Sequence, residues 1–321
     1  MTRQIQGGPA MPQQLFQGAL GIRKESVALR TRAECSESRL PFVPTELFHR
    51  IMAWFRHGCF PPILVIVGPA GIGKTYTVRH VAHELSDIPF FFLPATWRQS
   101  LENLMGYWEL RDGQTQFTQG DLLKGLSTEG ACICIDDAHC LSQDLQLLNG
   151  VGDTSREVVC AALGRKVSVA PNVKLILLAN PVPATGIAPW EAQKWEIPIQ
   201  IRDRSLMIEL SEGLSVDDER AILSEHWPEG HPAEVMDGLL EVCRNLRTNQ
   251  VLQSFVPSIR SLIITASELR HGASLSAAFE YGISNKYSDR SERAAAIEAF
   301  DAKFDPETGT STSEDKKIEK E

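Results

Sequence analysis

The sequence predicts an α/β domain with a mostly parallel sheet, followed by a smaller domain built only of helices. Short apolar runs alternate with helical patterns over the first two-thirds of the chain, which is typical of parallel strands joined by helices. After about residue 212 the strand-like runs stop and helical patterns continue. We therefore expect four segments: a polar leader (1–40), an α/β domain (41–211), an all-helical domain (212–300) and a disordered tail (301–321).

The α/β domain begins with a helix, because Leu47, Ile51 and Trp54 recur at helical spacing after Thr45, a suitable N-cap. Apolar runs then predict five strands, at 63–67, 90–93, 132–135, 173–178 and 208–210. In the second domain we expect helices at 216–226, 232–246, 258–271 and 274–281.

Composition excludes several classes of protein. The 321 residues are 43% hydrophobic, which rules out a mainly disordered or collagen-like chain. The 41 acidic and 32 basic side chains give a net charge of −9, which argues against binding nucleic acid by bulk charge. No apolar run approaches the roughly 18 residues that cross a bilayer. The first residues lack the apolar core of a signal peptide, so we expect no membrane span and a cytoplasmic location.

The seven cysteines show no disulfide spacing. Cys132, Cys134 and Cys140 lie close together, so a metal site has to be considered. Alternation within a strand would point Cys132 and Cys134 to one face, where buried cysteines usually act as small hydrophobic residues. We favour this structural interpretation.

The strongest motif directly follows the first apolar run and fits G-x-x-x-x-G-K-[ST]. Its glycines let backbone N–H groups close around phosphate, and the helix that follows adds its positive N-terminus. We expect Lys74 to reach the β- and γ-phosphates of ATP and the Thr75 hydroxyl to bind Mg²⁺. The expected phosphate-binding residues are Gly68, Pro69, Ala70, Gly71, Ile72, Gly73, Lys74 and Thr75.

Two later strands end in polar side chains. The run 132–135 is followed by Asp136, a candidate Mg²⁺ ligand, and Asp137, which is placed to polarise an attacking water. The run 173–178 leads to Asn180, whose amide could hydrogen-bond the same water; alternatively, Asn180-Pro181 only starts a turn.

The order of these motifs resembles that of AAA+ ATPases, whose fold is a P-loop αβα sandwich with a small helical lid. Within them the chain is similar to the MoxR group, near the CbbQ/NorQ-type activators, over roughly residues 42–300. The first supporting stretch, 101–117, reads as a hairpin around Asp112-Gly113, at the position of the insert that points toward the ring pore in MoxR proteins. The second is 120–126, and the third is 158–170, where Gly164-Arg165 suggests a second hairpin.

The resemblance implies roles for further residues. Asn180 corresponds to sensor 1, Arg260 to the sensor 2 arginine of the lid, and Arg204 to the finger that reaches a neighbour's ATP; Arg202 is the alternative finger. Two positions depart from the family pattern, since Asp137 replaces the usual Glu and Ser205 the usual Phe.

The same resemblance implies a ring homo-oligomer, a hexamer, that hydrolyses ATP with Mg²⁺ to remodel or activate a partner. The usual partners are a von Willebrand A-domain protein and a client enzyme, and the usual task is chaperone-like, such as metal or cofactor insertion. Two alternatives remain open. One is an ATP-dependent DNA-binding regulator of the transposition or helicase-loader type, and the other is a nucleotide-binding scaffold with little hydrolysis.

Overall fold

The computed structural model describes residues 41–56, 60–141, 144–180, 196–210, 213–249, 252 and 254–304. The expected leader (1–40) and most of the expected tail (305–321) lie outside the described residues. Among the described helices, none has the length and apolar character needed to cross a membrane.

A five-stranded sheet, parallel at every described pairing, forms the centre of the first part of the chain. Its strands are β1 (Ile63–Val67), β2 (Phe90–Pro94), β5 (Cys132–Asp136), β8 (Lys174–Ala179) and β9 (Ser205–Glu209), in the order β2-β5-β8-β1-β9. The fifth strand starts three residues before its predicted start at 208, because it pairs with the whole of β1, from Ile63↔Ser205 to Val67↔Glu209.

Alternate side chains of the sheet enter two separate cores, so the fold has three layers. Ile133 and Ile135 join one core, whereas Cys132 and Cys134 join the other. The second core is closed by α1 (Glu46–Arg56) and α2 (Lys74–Glu84). The first core is closed by shorter elements, α3 (Leu101–Met105), α4 (Asp121–Leu126), α5 (Asn149–Gly152) and α6 (Ile199–Asp203), with 3-10 turns at Ala138–Leu141 and Asp144–Leu148. Cys132 and Cys134 are thus buried hydrophobic residues, and no group of three or more metal-ligating side chains occurs within the described ranges.

Both predicted hairpins are present. The first joins β3 (Gly106–Arg111) to β4 (Gln114–Gln119), and its turn residues Asp112 and Gly113 have φ of 52° and 78°. The second joins β6 (Glu157–Cys160) to β7 (Arg165–Ser168) through a 3-10 turn that ends at Gly164. The Trp108 indole donates to the Ala162 carbonyl at 2.8 Å, which links the two hairpins.

The C-terminal part is helical and has its own core. It contains α7 (Val216–His226), α8 (Ala233–Thr248), α9 (Ile259–Arg270), α10 (Leu275–Gly282) and α11 (Arg290–Phe304), with a 3-10 turn at Ser284–Lys286. The last helix extends to Phe304, so residues 301–304 are helical and do not belong to a disordered tail. Their order follows from packing, because the Phe300 ring stacks on Phe279 at 4.4 Å and contacts Phe304 at 4.8 Å.

Candidate functional site

The glycine-rich loop 68–73 joins the end of β1 to the start of α2. Gly71 and Gly73 have φ of 81° and 89°, in the left-handed region that side chains with a Cβ rarely adopt. Gly73 is the N-cap of α2, and no side chain caps this helix end. The first amides of α2 are therefore available to an anion, which is the arrangement that the motif predicts.

Lys74 is the first residue of α2, and its side chain is buried. Its ammonium donates to the carbonyls of Gly68 at 2.6 Å and Pro69 at 2.8 Å, and to Asn180 Oδ1 at 2.9 Å. Burial lowers the pKa of Lys74 to about 8, an effect that the nearby carboxylates of Asp136 and Asp137 partly oppose. The ammonium is therefore surrounded by acceptors of the protein, and the phosphate oxygens of a bound nucleotide would compete with them for its hydrogen bonds.

The two aspartates lie at the end of β5, directly beside α2. The Thr75 hydroxyl donates to both carboxylate oxygens of Asp136, at 3.0 and 2.9 Å. Asp137 adopts a φ of 52°, which turns the chain out of the strand, and its N–H donates to Asp136 Oδ1 at 3.2 Å. Asn180, just beyond β8, donates from Nδ2 to Asp137 Oδ1 at 3.4 Å. These residues meet because β1, β5 and β8 are parallel neighbours whose carboxyl ends share one edge.

The donor set fits Mg²⁺ and a polyphosphate. A hydroxyl and a carboxylate whose oxygens lie 2.9 Å apart offer the hard oxygen ligands that Mg²⁺ prefers. Thr75 and Asp136 would hold the ion, and Lys74 with the amides of the loop would hold the phosphates.

Arg260 approaches the same site from the helical part of the chain. It lies in the first turn of α9, whose N-cap is Ser258. A Cβ built on Gly71 would lie 2.3 Å from Ser258 Oγ and 3.7 Å from Arg260 Cβ, so this helix end packs directly on the phosphate loop. The positive charge of Arg260 is also among the causes that lower the pKa of Lys74.

The two candidate finger arginines lie at the opposite end of the sheet. Arg204 immediately precedes β9, whose first residue pairs with Ile63, whereas the phosphate loop follows Val67. The five residues of the strand separate the two ends by roughly 16 Å. Arg204 donates to the Gln200 carbonyl at 3.0 Å, and Arg202 pairs with Glu196 at 3.7 Å. The structure therefore gathers Lys74, Thr75, Asp136, Asp137, Asn180 and Arg260, and leaves Arg202 and Arg204 apart.

Two further residues border the site, and sequence reasoning gave them no role there. His139 is buried and accepts a hydrogen bond from the Asn180 N–H at 3.4 Å. The Trp97 ring meets the His139 ring edge-on, with centroids 5.6 Å apart. In the sequence, His139 is a polar residue within the otherwise apolar stretch from Ala138 to Leu141, and this pattern could have indicated a buried histidine.

Comparison with known proteins agrees with this geometry. Residues 63–192 match the family model described as AAA domain (dynein-related subfamily). This segment starts with β1 and includes the phosphate loop, the end of β5 and Asn180. The denitrification regulatory protein NirQ of Stutzerimonas stutzeri is 25% identical over 248 residues, which cover 76% of this chain and 84% of that protein. Residues 63–192 are therefore similar to AAA domains of the dynein-related subfamily, and the predicted resemblance of the chain to the MoxR-type AAA+ ATPases is confirmed.

Proposed function

We propose that this protein is an ATPase that uses Mg²⁺-dependent hydrolysis of ATP to activate or remodel a partner protein. The observation that carries the proposal is the contact of Thr75 with Asp136, at 2.9 Å, beside the buried ammonium of Lys74. This contact supports the combination that phosphoryl transfer requires, which is a phosphate cradle next to a metal site.

Each residue has a role in this mechanism. The loop amides and Lys74 bind the β- and γ-phosphates, and the Thr75 hydroxyl and the Asp136 carboxylate hold the metal. Mg²⁺, when bound, neutralises phosphate charge. Asp137 accepts a proton from the attacking water, and Asn180 orients that water, a division supported by their mutual contact at 3.4 Å.

Arg204 and Arg260 complete the proposed site. Arg260 stabilises the γ-phosphate from the lid, and its position beside Gly71 supports this. Arg204 acts on the ATP of a neighbouring subunit. This role is consistent with its place just before β9, at the end of that strand that lies away from the phosphate loop. Together with the resemblance to MoxR-type ATPases, this place of Arg204 supports a ring homo-oligomer, which we infer to be a hexamer.

The regulatory name of NirQ and the resemblance to MoxR-type activators support a partner protein as the target. A von Willebrand A-domain protein and a client enzyme are the partners that we infer, with metal or cofactor insertion as the task. Free cysteines at Cys132, Cys134, Cys140, Cys160 and Cys243 are consistent with a cytoplasmic location.

One observation favours the alternative of a nucleotide-binding scaffold with little hydrolysis. Asp137 has a shorter side chain than Glu, and its backbone has a positive φ. Losing one methylene relative to Glu moves the carboxylate back by roughly 1 Å, and a misplacement of this size can cost about a hundredfold in rate. A φ of 52° also suits Asp better than Glu, because Asp and Asn tolerate the left-handed region.

Single-turnover hydrolysis of ATP by wild type and Asp137→Asn tests the proposal. The Asn side chain keeps the size of Asp137 and accepts the same φ, so the variant should fold and bind ATP but hydrolyse it at least about a hundredfold more slowly. Full activity of Asp137→Asn would remove Asp137 from the mechanism. A wild type that binds ATP but does not hydrolyse it, with or without candidate partners, would establish the scaffold alternative.

A further inference from the structure

His139 is separated from Asp136, the acidic end of β5, by two residues, and the proposed mechanism gives it no role. It belongs to the 3-10 turn Ala138–Leu141, which follows Asp137 without a break. The turn is fixed by the Cys140 N–H, which donates to the Asp137 carbonyl at 2.9 Å. The His139 side chain is only 3% exposed, so its polar atoms must find partners inside the protein.

The partner at Nδ1 is the backbone of Asn180. The Asn180 N–H donates to His139 Nδ1 at 3.4 Å. An imidazole nitrogen accepts a hydrogen bond only when it carries no proton. Burial lowers the pKa of His139, which agrees with a neutral ring. Trp97 packs edge-on against the ring at 5.6 Å and restricts its orientation.

Asn180 is thereby held at three points. Its Oδ1 accepts from Lys74 at 2.9 Å, its Nδ2 donates to Asp137 at 3.4 Å, and its backbone N–H donates to His139. The first two bonds involve groups that must turn toward phosphate and water when ATP binds. The backbone bond to His139 involves neither of the side chains that the proposed mechanism directs toward phosphate and water.

We propose that His139 is a positioning residue for Asn180: its Nδ1 fixes the Asn180 backbone, so that the side-chain amide stays aimed between Lys74 and Asp137. This inference rests on the proposed function, since Asn180 has water to orient only if the site hydrolyses ATP. The bond to the backbone exists without nucleotide, so it can also be tested without hydrolysis.

Two substitutions separate positioning from core filling. His139→Leu keeps apolar bulk and removes the acceptor, whereas His139→Asn is smaller but places its Oδ1 near the position of Nδ1. We expect His139→Leu to lower kcat roughly tenfold with KM for ATP within about twofold, and His139→Asn to recover most of the rate. If His139 only fills space, the order reverses, because Leu packs well and Asn leaves a cavity and a buried amide.

His226 provides the matched control. It is also buried, at 7% exposure, but lies on α7 in the helical part. We expect His226→Leu to leave kcat within about twofold of wild type. An equal loss of kcat in His226→Leu and His139→Leu would assign the effect to general destabilisation and overturn the proposal.

The Asn180 amide signal gives a readout that needs no ATP turnover. In nucleotide-free protein labelled with ¹⁵N-asparagine, we expect His139→Leu to shift this signal and speed its exchange with solvent, and His139→Asn to retain wild-type protection. Unchanged shift and exchange in His139→Leu would overturn the proposal even if the protein proves to be an ATPase. Altered exchange in a protein without ATPase activity would instead support the His139 contact and contradict the proposed function.

Discussion

The ammonium of Lys74 is a buried charge at the centre of the candidate site. Its three described hydrogen bonds end on Gly68, Pro69 and Asn180, and its pKa is lowered to about 8 by burial. Phosphate binding requires the charged form. Nucleotide affinity should therefore depend on whether this amine carries its proton.

We expect ATP affinity to be flat near pH 7.5 and to fall above pH 8 by up to about tenfold per pH unit, because the amine must then take up a proton on binding. Calorimetric titrations from pH 7.5 to 9.5, with excess Mg²⁺ at constant ionic strength, measure this. Lys74 affects folding stability in the opposite sense. In the unfolded chain Lys74 keeps its proton up to about pH 10.5, whereas in the folded protein it loses the proton above about pH 8. The contribution of Lys74 to the free energy of unfolding therefore rises with pH between about 8 and 10.5. Affinity that stays constant to pH 9.5 would show that the buried amine is still charged.

The positions of the main site residues could be predicted from the sequence. Lys74, Asp136 and Asn180 each follow an apolar strand, and parallel neighbouring strands end at one edge. The role of His139 could not be predicted, because its contact with Asn180 depends on a 3-10 turn between segments 41 residues apart. The left-handed φ of Asp137 was equally hidden, since Asp is common in ordinary turns.

Among the elements, the phosphate loop and the start of α9 pack closely against each other at Gly71. Gly71 and Gly73 both have positive φ, but a Cβ on Gly71 meets Ser258 Oγ at 2.3 Å, whereas one on Gly73 meets nothing within 4 Å. Both Ala substitutions carry a backbone cost of roughly 1–2 kcal/mol. Gly71→Ala adds a steric conflict of about 1–3 kcal/mol.

We therefore expect Gly71→Ala to lower the melting temperature of the nucleotide-free protein clearly more than Gly73→Ala does. Removing the Ser258 side chain in Gly71→Ala/Ser258→Gly should recover part of the difference. Thermal unfolding of the four proteins, wild type included, measures both effects. An equal decrease of the melting temperature in the two single variants would mean that α9 does not pack against the phosphate loop.

The bounds of the strands and helices show where sequence patterns are sufficient to predict an element. The strand over 63–67 was predicted at its observed bounds because buried parallel strands read as continuous apolar runs. The start of β9 was missed, because Ser205 joins the strand through its pairing with Ile63 and not through its own propensity. Helix α11 was not predicted at all, because its sequence is rich in charged residues and its large apolar side chains are few; it is held in place by packing of Phe300 on Phe279 and Phe304.

For the whole molecule, we propose that Arg204, which lies away from the phosphate loop of its own chain, acts on a neighbouring subunit, so that activity requires two subunits. If Arg204 contributes to another subunit's site as proposed, Arg204→Ala should reduce turnover strongly while ATP binding remains near wild type. Light scattering with ATP should detect an oligomer of the wild type. A monomer that hydrolyses ATP at the wild-type rate at every protein concentration would exclude the shared site.

Mixing two inactive variants tests this sharing directly. Arg204→Ala retains a complete nucleotide site, and Lys74→Ala retains the arginine, so mixed oligomers should regain part of the activity. Arg202→Ala is the matched control, because Arg202 is paired with Glu196 on the same short segment. No recovery on mixing, or a larger loss of turnover in Arg202→Ala than in Arg204→Ala, would contradict the assignment of Arg204.

We propose above all that the loop 68–73, with Lys74, Thr75 and Asp136, binds a nucleotide. Calorimetric titration of wild type and Lys74→Ala with ATP and Mg²⁺ tests it most directly. We predict saturable binding to wild type and no measurable binding to Lys74→Ala, since the β- and γ-phosphate charge would lose its buried cation. Binding of ATP by folded Lys74→Ala with wild-type affinity would show that the nucleotide does not depend on Lys74 and that this assignment of the site is wrong.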